Sequence, residues 1–324
     1  MTVHPYAWIL TIVIMGGIIV ADMLLMRRRP HIPSAKECLV FVGVFVGLAI
    51  AFGIGVWGLE GPDMGGQFFA VWVTEYSLSI DNLFMFMILM DKFAVPEKLQ
   101  QFALMCGIII ALVFRGVFIA LGQAILATWA WVFFIFGAFL LYSAIDLVKD
   151  FVTGSDEDSE ESAFSRWLRE KMPTTGDYRG TRFLVRDDGH LLATSMFTVV
   201  MALGATDLVF ALDSIPASYG LTSQAYLIFT ANVFALMGLR QLYFLLGHAL
   251  HKLVYLPLGL SAILGFIAVK LIGHALAHYH LDEKWFGVST EIGVWTSLLF
   301  IIATLAVTTV ASLLASRRSD SSDA

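Results

Sequence analysis

QFFAVWVTEYSLSIDNLFMFMILM, residues 67–90, is long and apolar enough to cross a membrane, yet it carries Glu75 and Asp81 near its middle. A span needs about 20 mostly apolar residues, and each charge inside one costs on the order of 3 kcal/mol or more. A second run repeats the pattern. TDLVFALDSIP, residues 206–216, sets Asp207 and Asp213 inside another apolar segment. Ionisable groups kept at membrane depth point to function by default.

Working outward, 58% of the 324 residues are hydrophobic and 14% are charged. Soluble domains average about 25% charged residues, so the chain reads as an all-α polytopic membrane protein. Nine spans are expected, near 5–26, 37–58, 67–90, 102–123, 127–148, 192–216, 222–246, 253–273 and 290–315. They group into two N-terminal spans (1–66), a three-span unit (67–148), an acidic loop (149–191), a second three-span unit (192–273), and a His-containing loop with the last span and tail (274–324). The first run lacks a basic leader and ends in Arg27-Arg28-Arg29, which reads as a retained span. With the N-terminus outside, 16 of the 20 Lys and Arg residues fall in inside loops; Lys284 lies outside, and Arg115, Arg240 and Lys270 lie within spans. Positive charge collects on the cytoplasmic side of membrane proteins, so N-out and C-in is the expected orientation.

The long loop opens with SDEDSEES (155–162), read as a solvated linker. RWLREK suits a short surface helix, and FLVRDDGHLLAT a hairpin around Asp188-Gly189.

The two acidic runs align. Glu75 and Asp81 are six apart, as are Asp207 and Asp213, and Asn82 and Ser214 follow the second acids. Each run precedes a span with an arginine near glycine, FRG at Arg115 and GLR at Arg240. Spans 3–5 therefore resemble spans 6–8. Because three is odd, the second copy must run in the opposite sense, an inverted repeat of the kind found in secondary transporters with a site near the midplane. Positions six apart on a helix lie about 120° around and about 9 Å along its axis, so one ion does not easily reach both acids of one straight helix. Pro216 is expected to kink or end its helix near Asp213.

A pocket of carboxylates, amides and hydroxyls suits a hard divalent cation such as Mn²⁺, Mg²⁺ or Ca²⁺. The alternative is charge pairing of the four acids with Arg115, Arg240 and Lys270, or bases that neutralise the empty site and orient its carboxylates. Cys38 and Cys106 form no metal-binding motif, and there is no nucleotide-binding loop, nucleophile motif or basic groove for nucleic acid. No enzymatic activity is expected. His274, His278 and His280 beside Asp282 and Glu283 suit a wet interfacial cluster, with chelation as the sharper alternative; Trp129, Trp131 and Trp285 suit the interface.

EYSLSIDNLF, TDLVFALDSIPA and NVFALMGLRQLYFLL (232–246) resemble the TerC family of membrane proteins over nearly the whole chain. That resemblance implies Mn²⁺ export from the cytoplasm across a bacterial plasma membrane, with Mn²⁺ as substrate and no resident cofactor. The site residues it implies are Glu75, Asp81, Asn82, Asp207, Asp213 and Ser214, with Asp22 at a further acidic position. It also implies supply of metal to exported proteins or metalloenzymes, so a scaffold that hands on metal, or a cation-selective channel, stands as the alternative. One position departs from the pattern: Gly204 stands where related sequences commonly carry glutamate. Export of two charges against about 100 mV costs about 4.6 kcal/mol. Protons competing for the same carboxylate oxygens would supply the coupling.

Overall fold

A computed structural model describes residues 5–28, 34–129, 131–153, 178–187, 190–246, 254–279 and 292–322. Among these, nine helices run in chain order: α1 (Pro5–Arg28), α2 (Ala35–Glu60), α3 (Pro62–Lys92), α4 (Glu97–Thr128), α5 (Val132–Thr153), α6 (Ser195–Leu221), α7 (Ala225–Leu246), α8 (Leu256–His278) and α9 (Val294–Ser322). Eight are long and apolar enough to span a membrane, and α1 adds the apolar stretch Trp8–Val20. Each expected span falls for most of its length on one helix, so the polytopic all-α fold stands. RWLREK, SDEDSEES, His248, His251, His280, Asp282, Glu283, Lys284 and Trp285 lie outside the described residues.

Local chemistry sets the helix ends. Ser34 caps α2 by accepting from the Glu37 N–H at 3.2 Å, in the Ser-x-x-Glu pattern of a capping box. The turn from α2 to α3 is a single residue, Gly61, at φ +97°, a backbone region that glycine enters without a Cβ clash. Pro62 then opens α3, where its missing N–H costs nothing.

The hairpin expected around Asp188-Gly189 is present in its strands. β1 (Leu184–Asp187) pairs antiparallel with β2 (His190–Ala193), with Asp187 opposite His190 and Leu184 opposite Ala193. It is held to the bundle at two points. Thr194 Oγ1 donates to the Arg182 carbonyl at 2.6 Å, and Tyr178 Oη donates to the Phe93 carbonyl at the α3–α4 turn at 2.7 Å. Burial pushes the Tyr178 phenol up to about 12.

α7 is the innermost span, with 83% of its central residues buried against 11% for α9. It packs on α3, α2 and α4, while α6 packs on α4 and α3, and α5 lies along α8. α9 covers α3 and α8 and turns Leu299, Val307 and Val310 outward. An apolar surface of this kind is what lipid solvates.

Among the described residues the bundle has two large apolar cores and a smaller one around Ile119, Ile215 and Ile228. The core near the hairpin includes Leu83, Met90, Leu104, Met196, Leu203 and Leu242. The larger one, toward the α6–α7 turn, includes Phe68, Val71, Leu227, Ile263 and Ile267. Thr74, Glu75, Arg115, Thr206, Asp207 and Asn232 are buried along the same helices, at the level where the two cores meet.

α6 differs from expectation at Pro216. The helix neither ends nor breaks near Asp213; it continues through Pro216 to Leu221. Proline removes the hydrogen bond to the carbonyl four residues earlier and crowds that carbonyl with its ring. Ile215, Pro216, Ala217 and Ser218 are all buried, so packing holds the last turn in place.

Candidate functional site

Arg115 is the largest of the fully buried side chains, and α3, α4, α6 and α7 all contribute to the network around it. Its Nη1 donates to Glu75 Oε2 at 2.8 Å and to Asn232 Oδ1 at 2.7 Å. Nε and Nη2 hold both oxygens of Asp207, at 2.9 and 3.1 Å. Ser218 Oγ donates to Glu75 Oε1 at 2.6 Å. The Arg115, Glu75 and Asp207 side chains are at most 2% exposed.

This is the fork geometry that planar guanidinium suits and ammonium does not. Each acid is fixed by its place on the helix: Glu75 is at the middle of α3, and Asp207 is at the middle of α6, where one face turns to α4. Gly204 brings α6 and α4 together, because a Cβ there would lie 2.7 Å from Ile110 Cγ2. Any side chain at this position would need Ile110 to move, so glycine gives a close helix contact one turn from Asp207.

The second acid of α6 is elsewhere. Asp213 Oδ1 accepts from Ser143 Oγ of α5 at 2.8 Å, and its side chain is half-buried. The two acids of α6 therefore serve different neighbours, as a separation of about 120° around the axis requires. Asn82 and Ser214 are buried, and the hydroxyls of Ser79 and Ser214 are enclosed without a hydrogen-bond partner. Buried polar atoms are normally satisfied, and the Trp72 indole N–H and the Thr198 hydroxyl share this condition. The side chains of Asp81 and Asp22 lie outside the described residues.

The three intramembrane bases do not act alike. Arg115 neutralises two acids, as the pairing alternative expected. Lys270 Nζ of α8 instead donates to Ser297 Oγ of α9 at 3.0 Å. Arg240 lines a small cavity with Phe45, Met105 and Met237. With the Gln241 amide turned, Arg240 Nη2 donates to its oxygen at 2.6 Å. His274 sets its ring edge-on to Phe133, and His278 to Tyr279. Among the described residues, no three His, Cys, Asp or Glu side chains cluster tightly enough to hold a metal.

Asn232, Ser218 and Ser143 were not singled out from the sequence. A polar residue in an apolar run was the available signal for Asn232, in TANVFALM, and for Ser143, in LLYSAI. Ser218 follows Pro216 closely and carries no such mark.

A family model described as "Integral membrane protein TerC family" matches residues 60–320. A Mycobacterium tuberculosis protein named only as an uncharacterised membrane protein is 39% identical over 317 residues, covering 96% of this chain and 79% of its own. The chloroplastic thylakoid membrane protein TERC of Arabidopsis thaliana is 38% identical over 256 residues, 79% of this chain and 64% of the plant protein. A Photorhabdus laumondii protein with the provisional name membrane-bound redox modulator Alx is 30% identical over 306 residues, covering 92% of this chain and 93% of its own. No solved structure matches the chain.

Proposed function

Because the chain belongs to the TerC family of integral membrane proteins, we propose that it is a secondary transporter. Its substrate is a divalent metal ion, Mn²⁺ first among candidates, exported from the cytoplasm across a bacterial plasma membrane in exchange for protons. One observation carries this reading. Two carboxylates meet a single guanidinium in a nearly water-free layer built from both halves of the chain. Taking charges out of water is expensive, and a helix bundle needs no ions at its centre to fold.

Helix pairing supports the inverted repeat. With α3, α4 and α5 as one copy and α6, α7 and α8 as the other, α3 on α7 is matched by α6 on α4. α5 on α6 is matched by α8 on α3, and α5 on α8 lies across the pseudo-axis. In such a frame the substrate site sits where the repeats meet. The distribution of Lys and Arg supports an outside N-terminus, with the hairpin facing the cytoplasm.

In the state described here Arg115 stands in for the cation, holding Glu75 and Asp207 neutralised and oriented. A divalent ion entering from the cytoplasm would take oxygens from the set Glu75, Asp81, Asn82, Asp207, Asp213 and Ser214. The free hydroxyls of Ser79 and Ser214 offer further contacts. Arg115 would move onto Asn232 alone as the carboxylates turn to the metal. Protons arriving from outside would then compete for those oxygens and free the ion. Transport of this kind needs no resident cofactor and no catalysis.

The redox role in one relative's name finds little to work with here. Cys38 and Cys106 are free and buried, on α2 and α4. A scaffold that hands metal to exported proteins, or a cation-selective pore, would use the same network differently.

Purified protein in liposomes holding a Mn²⁺-sensitive dye separates these readings. Mn²⁺ movement that depends on a pH gradient and is lost in Asp213→Asn supports the exchanger. Flux indifferent to the gradient indicates a pore, and no flux from folded protein overturns transport by this chain.

A further inference from the structure

A cleft of about 640 Å³ opens on the membrane face between α1, α4 and α7, and none of the four acids lines it. On α1 it runs from Trp8 to Val20, twelve residues or about 18 Å. That is close to the depth of one leaflet, about half of a 30 Å hydrocarbon core. The walls are apolar from Val20 and Ile109 upward, and the side-chain hydrogen-bonding groups, the Trp8 indole and the Gln123 amide, sit together at one end. That end is the one away from the hairpin: Trp8 packs on Tyr226 and Phe229 at the start of α7, and Tyr219, near the end of α6, donates to the Ile119 carbonyl. Polar groups at the interfacial end and an apolar floor toward the midplane are the two ends of an amphiphile.

We propose that this cleft binds an acyl chain of a membrane phospholipid from the leaflet opposite the hairpin, with the headgroup region beside Trp8 and Gln123. The two ends of the cleft, polar beside Trp8 and Gln123 and apolar beyond, favour this occupant over a helix from a second copy. An extended hydrocarbon chain, about 4 Å thick at van der Waals contact, fits lengthwise. Volumes of 300–1,000 Å³ with mostly apolar walls and a few polar groups are typical of sites for small amphiphiles. Gly116 lies in the cleft wall and is the chain neighbour of Arg115. The bound chain therefore packs against the turn of α4 that carries the guanidinium. The proposal needs only the membrane placement of the bundle and does not depend on what the protein transports.

The test is photolabelling in phosphatidylethanolamine and phosphatidylglycerol vesicles that carry a trace of phospholipid with a diazirine on one acyl chain. Val113 and Val117 in the cleft and Leu299 and Val307 on α9 are comparably exposed, so exposure alone predicts equal labelling. The expected result is severalfold more adduct on Val113, Val117 and Phe229 than on α9. Ala120→Phe, which narrows the cleft, should lower the cleft adducts and leave those on α9 unchanged. Equal labelling of the two faces in the wild type overturns the proposal even if the variant fails to fold. A disulfide between two copies through Val113→Cys overturns it as well, and assigns the face to a dimer.

Discussion

Asp207 and Asp213 are six residues apart on one helix, yet their surroundings have little in common. Asp207 is sealed, with both oxygens on the Arg115 fork and with Glu75 and Asn232 closing the shell. Asp213 is half-buried and meets one hydroxyl, Ser143. A sealed carboxylate with a bidentate partner mainly fixes the helices around it. A carboxylate held by one hydroxyl keeps its oxygens free for another ligand. On the proposed reading the two acids differ in readiness: Asp207 starts locked to α4 through Arg115, whereas Asp213 is open to an incoming cation from the outset.

The difference predicts a gradient of effects. Arg115→Met should be the most damaging change, because it leaves two buried acids without their cation and Glu75 with Ser218 alone. Breaking a buried ion pair from one side costs about 3–5 kcal/mol, enough to abolish a monodisperse peak in detergent chromatography. Adding Glu75→Gln and Asp207→Asn to it should restore part of that stability. A triple variant no better than the single one would break the account of the network.

A smaller effect separates the two partners of Arg115. In double-mutant cycles, which resolve couplings of roughly 0.5–3 kcal/mol, the Arg115–Asp207 term should exceed the Arg115–Glu75 term, since Asp207 accepts two N–H groups and Glu75 one. Thermal unfolding in detergent reads both. Equal terms would erase the distinction between fork and single contact. Asp213→Asn should lower stability by only about 1 kcal/mol, the net worth of one hydrogen bond, while removing transport.

The smallest effects belong to the hairpin end, away from both acids. Tyr178→Phe gives up the bond to the Phe93 carbonyl and should cost about 1 kcal/mol, read as faster proteolysis near the hairpin. The raised phenol gives the sign of the pH response: docking is intact below pH 10 and is lost as pH rises through about 12. Ala94 in the α3–α4 turn has φ +48°, so Ala94→Gly should raise the unfolding temperature slightly, for a gain of about 0.5–1 kcal/mol.

Much of the fold could be read before any coordinates. Runs such as 67–90 and 222–246 declare themselves by length and composition, and Asp188-Gly189 marks the hairpin. The matched spacing of acids singled out two helices that meet at Arg115. What periodicity cannot supply is depth and partner choice across helices. It placed Glu75, Asp81, Asp207 and Asp213 on oxygen-rich faces, but not Glu75 and Asp207 on one arginine with Asp213 on a serine of α5. Nor could it tell that Lys270 turns to Ser297, because that contact depends on how α8 and α9 pack. Pro216 does not end its helix for a related reason: its local effect on the backbone is outweighed by the packing of the turn that follows.

The most direct measurement is a Mn²⁺ titration of purified protein in detergent, followed by the six-line electron paramagnetic resonance signal of free Mn²⁺. Wild type should remove Mn²⁺ from solution saturably, whereas Asp213→Asn, unfolding within a few degrees of wild type, should not. Equal uptake by both, or none by either, would contradict the assignment of Asp213 as the open station for the ion.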